Sequence, residues 1–98
     1  MEKIVRDGKV AVAVSYGFGA GWSTWNDVDP MDARFNQLFL DGKVDEVVRI
    51  CDEEELGYAG GAHDVEIVWV PVGSVFVVDE YDGSESLQFK DDFDWKVA

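Results

Sequence analysis

The chain holds one cysteine, one histidine, two prolines and only eight basic residues against 21 acidic ones. Each shortage removes a class of explanation. The lone Cys51 cannot close an intramolecular disulfide, so packing, with oligomerisation as a further resource, must hold the fold. His63 has no second histidine and no serine or cysteine nucleophile beside it. Its neighbour Asp64 would point to the opposite face of a strand, so no dyad is expected. The chain is therefore read as a non-enzyme, with no catalytic residue, no metal ligand and no cofactor. A formal charge of −13 repels nucleic acid at long range and argues against direct DNA or RNA binding. No run approaches the roughly 18 apolar residues of a membrane span. Met1-Glu2-Lys3 shows no apolar stretch behind a basic start, so a cytoplasmic protein without membrane contact is expected.

What is present points to a folded core. Hydrophobic residues make up 47% and aromatics 13% of 98 positions, too much for a disordered chain and enough for a single domain spanning 1–98. Four tryptophans must either fill that core or form a recognition surface.

Residues 9–16, K-V-A-V-A-V-S-Y, alternate with a strand period, and the small residues of the second face imply that something is packed there too. Asp7-Gly8 is a turn signal before it, so 3–6 reads as a short first strand or a paired terminus. Asp29-Pro30-Met31-Asp32 reads as a helix start with Asp29 as cap, and Met31, Phe35, Leu38 and Phe39 fall on one apolar face. Gly42 interrupts, and Val44, Val47, Val48 and Cys51 mark a second helix ending near Leu56-Gly57. Its last turn carries four acids, 52–55, where the dipole prefers cations, so this end should fray or meet a basic group. Further strands are expected at 65–70, 74–81 and 84–89, the last two joined across Asp82-Gly83, with 92–97 as an additional strand. The order implies an α+β fold with a mainly antiparallel sheet of four to six strands. Two helices lie between the N-terminal strand and the C-terminal hairpins.

The segment 17–26, G-F-G-A-G-W-S-T-W-N, is the main candidate for function. It is neither a dinucleotide fingerprint nor a Walker A loop. Its glycines fit a loop that simply needs glycine backbone angles. Yet Trp22 and Trp25 place two π faces beside Ser23, Thr24 and an amide. Stacking of a base on such a ring contributes about 1–3 kcal/mol. Hydroxyls and loop N–H groups are neutral donors for phosphate, which an acidic protein would need to hold an anion. Arg34, one turn into the expected helix, is a further candidate for gripping phosphate, with pairing to Asp29 or Asp32 as the alternative. Asp79, Glu80, Asp82 and Glu85 cluster at a hairpin but lack a calcium-loop spacing, and read as a hydrated charged tip. Cys51, on an apolar helix face, reads as buried and inert.

Four stretches together resemble a small family of bacteriophage proteins: G-F-G-A-G-W-S-T-W-N, G-G-A-H-D-V (60–65), W-V-P-V-G-S-V-F (69–76) and E-Y-D-G-S-E-S (80–86). That family is similar to the viral anti-CBASS sponges, which sequester cyclic dinucleotide signals such as 3′3′-cGAMP. The resemblance implies a homo-oligomer, a tetramer or dimer, acting in the cytoplasm of an infected bacterial host for immune evasion. It binds its ligand without cleaving it. The positions that carry over are Gly19, Gly21, Trp22, Ser23, Thr24, Trp25 and Tyr81. Arg34 enters from charge alone. The rival expectation is an acidic inhibitor that mimics nucleic acid toward a basic host or defence protein, using acids 52–55 and 91–94.

Overall fold

In the computed structural model, residues 1–90 are described. Two tight turns begin the architecture. Asp7 and Gly8 both have positive φ (51° and 75°), as do Asp82 and Gly83 (51° and 88°). Two successive left-handed residues make the type I′ turn whose twist matches antiparallel strands. The first turn joins β1 (Val5–Arg6) to β2 (Lys9–Ser15), and β3 (Val65–Pro71) pairs antiparallel on the other side of β2, from Lys9↔Pro71 to Ser15↔Val65. The second turn joins β4 (Phe76–Tyr81) to β5 (Ser84–Phe89), in register from Phe76↔Phe89 to Tyr81↔Ser84.

The strands form two separate sheets, ordered β1-β2-β3 and β4-β5, rather than the one sheet expected. The reason is the double-sided character of β2, which is buried along nearly its whole length. Val12 and Val14 pack with Val68, Val70, Phe76, Leu87 and Phe89 of β3 and the hairpin, so the hairpin lies across the sheet face. Ala13, on the opposite face, belongs to a cluster with Trp22, Phe35, Val47 and Cys51. Small residues on that face let the helices approach closely. The result is a three-layer α+β arrangement of helices, sheet and hairpin.

Helix α1 covers Ala33–Leu40, three positions later than a cap at Asp29 would start it. Asp32 is the cap, accepting the Arg34 N–H at 2.9 Å. Asp29 instead closes a turn by accepting the Met31 N–H at 2.8 Å. Met31 thus leaves the helix and packs under the hairpin. At the other end Gly42 has φ 71°, Lys43 N–H donates to Leu38 O and Gly42 N–H to Phe39 O. That is the Schellman pattern. Helix α2 covers Val44–Glu53 and ends in the same way, with Leu56 N–H on Cys51 O and Glu55 N–H on Asp52 O. Here the left-handed position is Glu55 (φ 53°) rather than glycine. Its acidic end does meet basic groups, Arg34 bonding Glu54 and Arg49 bonding Glu53, both at 2.8 Å, while Arg49 also reaches back to Glu46 of the first turn at 2.6 Å.

Asn36 ties α1 to the sheet, donating to Ala11 O and Pro30 O, both at 3.0 Å. Among the described residues no helix is long and apolar enough to cross a membrane. The strand expected at 92–97 lies outside the described residues.

Candidate functional site

Three of the sequence segments singled out above meet in one knot. Its centre is Glu85 on β5, which is 1% exposed. One carboxylate oxygen, Oε1, accepts the Ser15 N–H at 2.9 Å. The other, Oε2, accepts the Trp22 N–H at 2.9 Å, the Thr24 N–H at 3.1 Å and the Thr24 hydroxyl at 2.6 Å. No basic side chain is among these partners. A buried carboxylate is held by backbone and hydroxyl dipoles instead, which meets the requirement that buried charge be hydrogen-bonded.

Glycine makes the knot possible. A Cβ at Gly61 would overlap the Gly21 carbonyl and lie 2.9 Å from Trp22 N. One at Gly83 would lie 2.9 Å from Gly19 C and overlap Ala20 N. The loop 17–21 is thus clamped between the 60–64 turn and the β4–β5 turn, backbone against backbone. Gly19 adds a left-handed φ of 94° and donates its N–H to Asp82 O at 2.6 Å. The segment is an anion cradle after all, and the anion it holds is the protein's own Glu85.

This placement sorts the candidates. Gly19 and Gly21 shape the loop. Trp22 is 0% exposed and sits edge-on against Phe35 and Phe39, with ring centroids 5.9 and 5.3 Å away. It is a core residue, and the expected accessible stacking face is not there. Its Nε1 is buried without a hydrogen-bond partner, as is Asn36 Oδ1. Trp25 is 40% exposed and stands 6.1 Å from Tyr58, so one indole of the two does reach solvent. Arg34 is engaged with Glu54 and lies over the Phe35 ring, 4.5 Å from its centroid. It borders a shallow depression with Met1 and Gln37 that includes no residue of the 17–26 loop. Arg34 and the loop therefore do not form one site. Tyr81 projects at the far end of β4.

Ser23 and Thr24 keep a place in a cleft. They line a cavity of about 810 Å³ between the sheet and the hairpin, with Val10, Val70, Phe76 and Val78 on its walls and Lys3 and Asp29 at its polar side. The Thr24 hydroxyl is committed to Glu85, which fixes the short 3-10 turn Ser23–Trp25 as a rigid wall. The Lys3 ammonium makes no ion pair among the described residues. Val72 N–H bonds Gly8 O and Lys90 N–H bonds Val75 O at the rim of this cleft. Lys3 and Asp29 make the polar side of the cleft mixed in sign on a chain of −13.

Sequence reasoning read Glu85 only as part of a charged hairpin tip and missed its inward role. The signal for Glu85 was available: in S-E-S-L-Q-F it shares a strand face with Leu87 and Phe89. A carboxylate at an inward position of a strand needs a partner inside. The same feature corrects the hairpin cluster. Asp79, Glu80 and Asp82 are exposed, but Glu85 points into the molecule. Cys51 is buried as expected, and burial pushes its thiol up from the ordinary range. Among the described residues no group of three histidine, cysteine or acidic side chains could hold a metal ion. No family model, no curated protein and no solved structure matches this chain.

Proposed function

We propose that the protein is a non-catalytic binder that sequesters a cyclic dinucleotide of the 3′3′-cGAMP kind in the cleft beside Ser23 and Thr24. The observation that carries this reading is the cleft itself. Its 810 Å³ falls within the range of about 300–1,000 Å³ usual for small-ligand sites. Its walls are valines and Phe76, against which a planar base can lie, and its polar groups are few and convergent. In this reading the phosphate is met by the Lys3 ammonium and the Ser23 hydroxyl. Base stacking falls to Phe76 and no longer to Trp22. A homo-oligomer, dimer or tetramer, would enclose the cleft further through Val72, Val75 and Val77, which stand exposed on its lip.

The rival reading, a nucleic-acid mimic acting through acids 52–55 and 91–94, draws less support, and 91–94 lie outside the described residues. Three acids of α2 and its end, Glu46, Glu53 and Glu54, are ion-paired with Arg49 and Arg34.

Calorimetric titration with a panel of cyclic dinucleotides tests the proposal. A member of the panel should bind at micromolar ligand or below and be recovered chemically unchanged. Lys3→Ala and Ser23→Ala should each weaken binding about tenfold or more, the effect of removing one charge-assisted hydrogen bond. Silence across the panel ends the reading. Binding untouched by both substitutions moves the ligand out of this cleft.

A further inference from the structure

The end of β4 away from the cleft holds large aromatic rings in solvent. Tyr16 is 48%, Phe18 72% and Tyr81 79% exposed. They flank one backbone junction, where Gly19 N–H donates to Asp82 O at 2.6 Å and the Ser84 hydroxyl donates to Tyr16 O at 3.0 Å. Glu85 fixes both sides of that junction through Ser15 and Trp22. The rings therefore stand on a rigid base rather than on a free loop, which lowers the ordering entropy lost on binding. None of the three makes a ring contact with another described aromatic residue. Apolar groups held in solvent at one place mark an interaction surface.

Charge selects the occupant. Asp64, Asp79, Glu80 and Asp82 are exposed on the same segments, and the Asp64 carboxylate lies against the Gly17 backbone. Glu80 accepts the Gly83 N–H at 2.9 Å and Asp79 accepts the Glu80 N–H at 2.9 Å, so both carboxylates are positioned while remaining open to water. The segments 15–20, 62–66 and 79–86 contain no lysine or arginine. An aromatic face ringed by carboxylates attracts a guanidinium in two ways, through the ring quadrupole and through Coulomb attraction. An anion is repelled from the same place.

We propose that this aromatic tip docks an arginine- and lysine-rich segment of a partner protein. It is a second surface, independent of the cleft and of the acids on α2. Binding there combines cation–π contacts with rim ion pairs, so it weakens with salt but is not abolished by it, because the ring contacts persist.

The test is a titration of ¹⁵N-labelled protein with a synthetic peptide of alternating arginine and glycine at physiological ionic strength. Shifts should concentrate at residues 16–19, 64 and 79–83. The double variant F18A/Y81A should lose about tenfold in affinity, the sum of two exposed cation–π contacts. Its urea midpoint should stay at the parent value, since both rings are in solvent. Its response to 3′3′-cGAMP should also match the parent's, so failure here and failure of the cleft reading are told apart. No binding, shifts centred on 46–55, or undiminished affinity in the double variant would each overturn the proposal.

Discussion

The carboxylate of Glu85 accepts the backbone N–H of Ser15, 70 positions earlier in the chain, at 2.9 Å. That bond caps the last residue of β2, and the second oxygen binds the loop that follows it. One side chain thus joins the end of the first long strand, the glycine-rich loop and the hairpin.

Replacing Glu85 should be among the most damaging single changes in the protein. Glu85→Ala strands the Ser15, Trp22 and Thr24 N–H groups, and each buried unsatisfied donor costs about 1–3 kcal/mol. A loss of roughly 3 kcal/mol or more is expected, a large share of the 5–15 kcal/mol typical of a domain. Glu85→Gln should fall between, because it keeps one acceptor oxygen and turns an N–H₂ toward donors. Urea denaturation measures both. A midpoint for Glu85→Ala equal to the parent's would refute the knot.

Glycines at 61 and 8 should respond differently to alanine. At Gly61 the added Cβ meets the Gly21 carbonyl, which is backbone and cannot step aside. Overpacking of this kind costs roughly 1–3 kcal/mol. At Gly8 nothing lies within 4 Å, so only the positive φ of 75° is paid, about 1 kcal/mol. Thermal unfolding of Gly61→Ala and Gly8→Ala compares them, and equal melting shifts would contradict the close approach.

The two indoles of the loop should also part company. Trp22→Ala opens a cavity beside Phe35 and Phe39 and should cost about 3–5 kcal/mol. Trp25→Ala, with its ring 40% exposed, should cost well under half as much and leave the fold intact. Denaturation of the two variants in parallel decides this.

Cys51 gives a pH dependence with a definite sign. Burial raises its thiol, so the fold favours the neutral form. That contribution is complete below the unfolded thiol value of about 8.5 and is lost as pH rises through the higher folded value. Stability should therefore decline on the alkaline side by more in the parent than in Cys51→Ala, as urea midpoints between neutral and alkaline pH would show. Identical slopes would mean that the thiol is not protected.

Glu46 should titrate below the usual carboxylate range, first because Arg49 hydrogen-bonds to it and second because of that residue's charge. NMR titration of its side-chain carbonyl should show the depression, and Arg49→Ala should remove it.

Local pattern carried much of the architecture. The period of residues 9–16, the Asp7-Gly8 and Asp82-Gly83 turns and the apolar face of Val44, Val47, Val48 and Cys51 each specify an element through contacts within a few residues. Helix α1 began late because two aspartates competed for its start. Asp29 closed its own turn, and only Asp32 offered a cap in phase with Phe35 and Phe39. The sequence also announced the aromatic glycine loop, but it could not say what the donors of that loop would bind. A loop N–H has the same chemistry whether its acceptor is a phosphate or a distant glutamate. Chain folding decided that question by bringing Glu85 to Trp22 across 63 positions. The same long-range packing buried one tryptophan, left its neighbour at the surface and placed Ser23 on a cleft wall. Burial is a property of what arrives from elsewhere in the chain, and no local spacing records it.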